Sequence, residues 1–152
     1  MSNTATVAPR LPPALSHWPG YLLTFIAEHA TDRFERAIAP HGIRSKHASV
    51  LVVIDAEGPM SQRALGRRLQ IDKSPMVGLL DDLERLGLAE RRRSEADRRI
   101  QAIHLTAKGR SALARVLEIA EEENARTFGV LDASEREQLH DLLLRVAEAR
   151  AD

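Results

Sequence analysis

The sequence predicts a mainly α-helical chain with a small two-stranded β wing, ordered helix, helix, helix-turn-helix pair, hairpin, helix, helix. Apolar residues recur at helical spacing through most of the 152 residues, and aromatics make up only 3%, a composition that favours helices over a β-sandwich. Two helix-start signals, Ser61 and Ser74-Pro75, stand a short helix and a turn apart. Between the second of these helices and a later cap at Thr106, the runs Leu88–Arg93 and Ile100–Leu105 read as paired strands joined by Ser94-Glu95-Ala96-Asp97.

Taken in order, residues 1–13 are polar, carry Pro9, Pro12 and Pro13, and read as a flexible arm. From Leu15, the positions Leu15, Trp18, Leu22, Phe25, Ile26 and His29 follow one helical stripe, which should end near Pro40-His41-Gly42. A second helix begins near Ser45, carries Val50, Leu51 and Ile54, and stops at Gly58-Pro59. Ser61 caps a short helix to Leu69. Ser74 as N-cap and Pro75 as first helical residue open the next, which bears Met76, Leu79, Leu80, Leu83 and Leu86 and ends at Gly87. After the hairpin, Thr106 caps a long helix with Leu113, Val116, Leu117, Ala120 and Ala125 in line. Asp132 and Glu135 have capping-box spacing before a last helix with Leu139, Leu142, Leu143 and Val146. The terminal helices are too apolar to stand alone and are expected to form a dimer interface through Leu15, Leu22, Leu139, Leu142, Leu143 and Val146.

The net charge is zero, but its distribution is uneven. Residues 61–110 hold 12 basic and 7 acidic side chains, and residues 111–152 hold 5 basic and 10 acidic. The middle third is the expected electrostatic footprint for nucleic acid. There is no cysteine, so disulfides, thiolate metal sites and thiol redox switching are excluded. Neither a secretion signal nor an apolar run approaching the roughly 20 residues of a membrane span is evident, and cytoplasmic localisation is the expectation. No G-x-S-x-G elbow, phosphate loop or metal-ligand spacing points to an enzyme, a cofactor or a bound metal.

A hairpin beside a helix-turn-helix is a winged helix. The order helix, helix, wing, then Asp97-Arg98-Arg99 with Leu105-Thr106 and Gly109, resembles the MarR family of regulators over about residues 15–150. The resemblance implies one domain, 14–152, with 14–44 and 106–152 as dimerisation helices and 45–105 as the winged lobe. It implies a homodimeric, sequence-specific DNA-binding regulator, most simply a repressor acting on a pseudo-palindromic operator and relieved by a small aromatic or phenolic ligand. In that pattern Asp97 braces the wing and Arg99 enters the minor groove, with Arg98 beside it. Arg91 and Arg93 share a strand face and are expected to meet phosphates, unless one of the strand's arginines instead holds Asp97 or Glu90; Ser61, Gln62, Arg63, Lys73 and Ser74 are expected to meet phosphates too.

The recognition helix departs from the family's polar pattern, with Pro75, Val77, Gly78 and Asp82 at positions where members carry Thr, Thr, Arg and Arg. Met76 and Val77 are therefore expected to touch thymine methyl groups. Gly78 is either an opening for close approach to DNA or a helix defect. Trp18, Phe25 and His47 are candidates for an effector pocket, with Trp18 and Phe25 alternatively part of the dimer core. The competing reading is a winged-helix module that binds protein.

Overall fold

The computed structural model describes residues 10–93 and 101–149. A single turn of 3-10 helix at Pro13–Leu15 precedes α1 (Pro19–Ile38), α2 (Ser45–Glu57), β1 (Met60–Ser61), α3 (Gln62–Leu69), α4 (Lys73–Arg85), β2 (Ala89–Arg93), β3 (Gln101–Leu105), α5 (Ala107–Phe128) and α6 (Ala133–Glu148). The sheet has three strands in the order β1-β3-β2, both pairings antiparallel. The third strand, opposing Met60 to Ile103 and Ser61 to Ala102, was not expected. Two residues are too few to show alternation, and Ser61 reads locally as a helix cap.

One apolar core joins the elements. Leu51 and Ile54 of α2, Leu65 of α3, Leu80 and Leu83 of α4, and Ile103 of β3 are buried together with Val116 of α5. The short loops are set by local chemistry. The end of α4 is a Schellman motif, in which the Leu88 N–H donates to Leu83 O (2.8 Å) and the Gly87 N–H to Glu84 O (2.9 Å), with Gly87 left-handed at φ 70°. The α3–α4 turn passes through Gln70, a non-glycine residue at φ 52°. At the start of α6 the expected capping box is present: Glu135 N–H donates to Asp132 Oδ1 and Asp132 N–H to Glu135 Oε2.

The start of α4 differs from expectation. The helix begins at Lys73 with Asp72 as N-cap, so Ser74 and Pro75 lie inside its first turn. Proline fits there because first-turn N–H groups have no intrahelical acceptor.

The sequence Leu105-Thr106-x-x-Gly109 locks α5 onto the hairpin. Thr106 Oγ1 accepts the Gly109 N–H (2.9 Å) and donates to Gly87 O (2.7 Å), and the Thr106 N–H donates to Leu88 O (3.1 Å). A Cβ on Gly109 would stand 1.9 Å from Leu88 O, so only glycine admits this contact. In contrast, α6 contributes no buried residue within the chain, and Leu142, Leu143 and Val146 are exposed. Among the described residues, no helix is long and apolar enough to cross a membrane.

Gly109→Ala is expected to lower stability by about 1–3 kcal/mol, the usual cost of overpacking, read as a lower urea midpoint with an unchanged m-value. An unchanged midpoint would show that the α5–hairpin contact yields easily.

Candidate nucleic-acid interface

Helix α4 buries one side and presents the other. Met76, Leu79, Leu80 and Leu83 face the core, while Lys73, Ser74, Pro75, Gly78, Asp81 and Arg85 are exposed. Beside its start runs an open groove of about 770 Å³, to which Gln62, Arg63, Arg67, Gln70 and Lys73 contribute. Arg63 and Arg67 are exposed, one helical turn apart on α3. Arg67 and Gln70 were missed from sequence; the i,i+4 spacing of the two arginines was the available signal. Ser61 is the N-cap of α3, its Oγ accepting the Ala64 N–H (3.2 Å). Gln62 and Val77 are half-buried.

Two expected contacts are corrected. Met76 is 0% exposed and belongs to the core. Spaced three, four and seven residues before Leu79, Leu80 and Leu83, it shares their buried face of α4, and no base can reach it. Arg91 is committed inside the protein. Its backbone N–H donates to Glu84 Oε1 (2.9 Å), its guanidinium bonds Asp81 Oδ1 (2.8 Å) and Glu84 Oε2, and the side chain is 21% exposed. Arg91 shares a strand face with Ala89, which is buried; alternation therefore turns it towards α4. Arg92 pairs with Glu90, and Arg93 is exposed at the end of β2. Asp97, Arg98 and Arg99 lie outside the described residues.

The carboxylates of α4 are thus tied to fixed cations. Arg91 holds Asp81 and Glu84, and Asp82 lies 2.7 Å from Arg85 and 3.8 Å from Arg44. The Arg85 guanidinium keeps the Asp82 carboxyl below the usual carboxylate range.

His47 is corrected as an effector contact. It is 2% exposed, its Nδ1 accepts the Arg44 N–H at the start of α2 (3.0 Å), and its Nε2 stands 3.4 Å from Asp82 Oδ2. Nor do the three suggested pocket residues meet. Ser45 N–H donates to Glu35 Oε1 (3.0 Å), which places the start of α2 beside the end of α1. By helix rise, Trp18 is then roughly 25 Å away and Phe25 roughly 15 Å. Trp18 is 60% exposed, and Phe25 lies between Tyr21 and His29 on α1. An apolar hollow of about 370 Å³ lies between α1, α2 and α5, where Phe34, Ala48, Val52, Val53, Val116 and Leu117 line it. Arg33 of α1 reaches across to the buried carboxylate of Glu123 on α5 (3.0 Å), which Arg126 also holds (2.6 Å).

Residues 41–100, covering the helix-turn-helix and much of the hairpin, match the MarR family model. Over 115 residues the chain is 32% identical to the putative transcriptional regulatory protein for the hcr operon of Thauera aromatica, spanning 75% of this chain and 69% of that protein. It superposes on the transcriptional repressor CouR bound to a 23-mer DNA duplex with TM-score 0.80 and 31% identity, covering 92% of this chain and 99% of that one. CouR from Rhodococcus jostii RHA1 bound to p-coumaroyl-CoA gives TM-score 0.78 and 29% identity, covering 90% and 96%. The chain belongs to the MarR family and is a transcriptional regulator.

Burial, reinforced by Arg44, lowers the His47 pKa from its ordinary value, against the opposing pull of Asp82. The unfolded imidazole titrates near 6.5, so as the pH falls below that value the folded state binds fewer protons than the unfolded state. The contribution of neutral His47 is complete above about pH 6.5 and is lost as pH drops through the lowered folded value. His47→Gln keeps an acceptor for the Arg44 N–H, and its urea midpoint should fall less than wild type between pH 7.5 and 5.5. Parallel loss in both proteins would remove His47 from this account.

Proposed function

We propose that the chain is a homodimeric repressor that binds a pseudo-palindromic operator and releases it when a small aromatic or phenolic ligand binds. The observation that carries this is the exposed start of α4 set beside the basic side chains of α3. The N-terminal half of a recognition helix is the part that meets base edges. Arg63 and Arg67 of α3, with Lys73 and Ser74 at the start of α4 and Gln62 beside them, are proposed to hold phosphates. Arg93 extends this surface along the hairpin. Arg98 and Arg99 are proposed to continue it into the minor groove with Asp97 as brace. Narrow minor grooves favour guanidinium groups, which are weakly hydrated and always charged.

The exposed apolar face of α6 supports the dimer. Leu142, Leu143 and Val146 are exposed among the described residues, and they share that face with half-buried Leu139. Leu15, with Leu22 and Trp18 of the α1 region, would complete the seam. A two-fold dimer places two recognition helices one turn of DNA apart. For the effector, the α1–α2–α5 hollow replaces the Trp18, Phe25 and His47 site. Its apolar lining and volume suit an aromatic ring, and CouR in complex with p-coumaroyl-CoA makes aromatic acids and their thioesters the first compounds to try.

The test is fluorescence anisotropy with DNA from upstream of the coding region and a scrambled duplex, at two salt concentrations. Tight, salt-sensitive binding that prefers the upstream sequence is expected; equal affinity for both duplexes, or none, would contradict operator recognition. Arg99→Ala should weaken binding at least tenfold and reduce the salt slope by about 1, as loss of a phosphate or groove cation does. Arg91→Ala should weaken binding with the slope unchanged, since Arg91 binds protein carboxylates. Equal slopes for the two variants would contradict this division. Leu142→Asp should convert the dimer to monomer or unfold it, and a stable dimer by light scattering would contradict the α6 interface.

A further inference from the structure

Most of the glycines within and beside the helices answer to a neighbour in the fold. A Cβ would stand 2.9 Å from Ile71 O at Gly66, 1.9 Å from Leu88 O at Gly109 and 2.5 Å from Ala125 O at Gly129. Gly42, Gly58 and Gly87 have positive φ. That leaves Gly20 and Gly78, where an added Cβ would meet nothing within 4 Å. Gly20 is the second residue of α1, where the backbone is least constrained. Gly78 is the sixth of thirteen residues in α4, is exposed and has ordinary helical φ. Glycine in a helix interior lowers stability relative to alanine, and among the described residues no packing neighbour calls for it at position 78.

The surroundings of Gly78 indicate what does. Gly78 stands four residues after Ser74 and three after Pro75, and all three are exposed, so they form one outward patch of short side chains. Longer basic side chains, Arg63, Arg67 and Lys73, stand along the groove beside it. Such a profile, low in the middle and cationic at the side, fits a helix pressed close to base edges while its neighbours hold phosphates.

We propose that Gly78 is a specificity-determining residue, left without a side chain so that α4 seats deeply enough in the major groove for Ser74 and Pro75 to meet the bases. The proposal rests on the operator-binding reading above. It assigns sequence preference to backbone proximity and apolar contact along this patch, with the phosphate grip supplied separately by Arg63, Arg67 and Lys73.

The experiment compares wild type, G78A and G20A by thermal melting and by anisotropy on the upstream and scrambled duplexes at two salt concentrations. G78A should melt about 2–4 °C higher than wild type, bind the upstream duplex at least tenfold more weakly, lose less affinity for the scrambled duplex, and keep the salt slope. G20A should bind as wild type does. Upstream affinity lost by less than tenfold, equal loss on both duplexes, or a melting temperature below wild type would each overturn the proposal. Wild type that prefers neither duplex would overturn the operator reading itself, a result visible before any substitution is compared.

Discussion

The contact between the first turn of α5 and the backbone at Gly87 and Leu88 is the constraint on which the other parts depend. One hydroxyl, Thr106 Oγ1, both caps α5 and bonds the carbonyl of Gly87, and the absence of a side chain at Gly109 lets the helix lie on Leu88. Lys108 Nζ adds a bond to Leu86 O (2.8 Å), satisfying a carbonyl at the end of α4 and placing a cation where the helix dipole favours one. The end of the recognition helix, the root of the hairpin and the start of the longest helix therefore form one rigid knot. Movement of α5 is felt at α4 without an intervening flexible loop.

Around that knot, electrostatics settles a conflict built into the sequence. A helix offered to DNA carries Asp81, Asp82 and Glu84, which alone would repel phosphates. Each is drawn into a short-range pair with a cation fixed by another element or by α4 itself: Arg91 on β2, Arg44 before α2, Arg85 on the next turn. The same pairs tie α4 to the strand that leads into the wing. Surface ion pairs contribute little stability individually. Here the consequence is geometric, because Arg91 on β2, bonded to both Asp81 and Glu84, fixes the angle between strand and helix. The N-terminal half of α4 is left free of acidic side chains beyond its cap, Asp72.

Much of this was legible in the sequence because the signals were local or periodic. The Schellman glycine at position 87, the caps Ser61, Thr106 and Asp132, and the leucine stripe of α4 depend on neighbours a few residues away. What escaped depended on distant partners. The stripe already grouped Met76 with Leu79 and Leu80, but the loss of polar residues from the helix's first turns suggested a second role at DNA for the methionine, which its complete burial excludes. Strand alternation correctly grouped Arg91 with Arg93, but the face they share turns towards α4 at position 91, which only the pairing of β2 with β3 determines. His47 looked available because histidine is usually polar surface; its burial follows from the packing of α4 across α2. The Trp18, Phe25 and His47 pocket failed on length, since no pattern along a helix reports how far its ends stand from the next element.

The α1–α2–α5 hollow shares Val116 with the main core and Ala48 with α2, and α2 touches α4 through His47 and Asp82. A guest there shifts operator affinity only if it binds two arrangements of these helices unequally. A tenfold change in operator affinity corresponds to about 1.4 kcal/mol of coupling, comparable to one buried methylene or one hydrogen bond. The knot at Thr106 makes that modest difference sufficient. In the proposed reading, displacement of α5 by a ring against Val116 and Leu117 would pass to the end of α4 through the bonds of Thr106 to Gly87 and Leu88. In the proposed dimer, two such displacements change the spacing between recognition helices, the quantity that a rigid DNA duplex tolerates least.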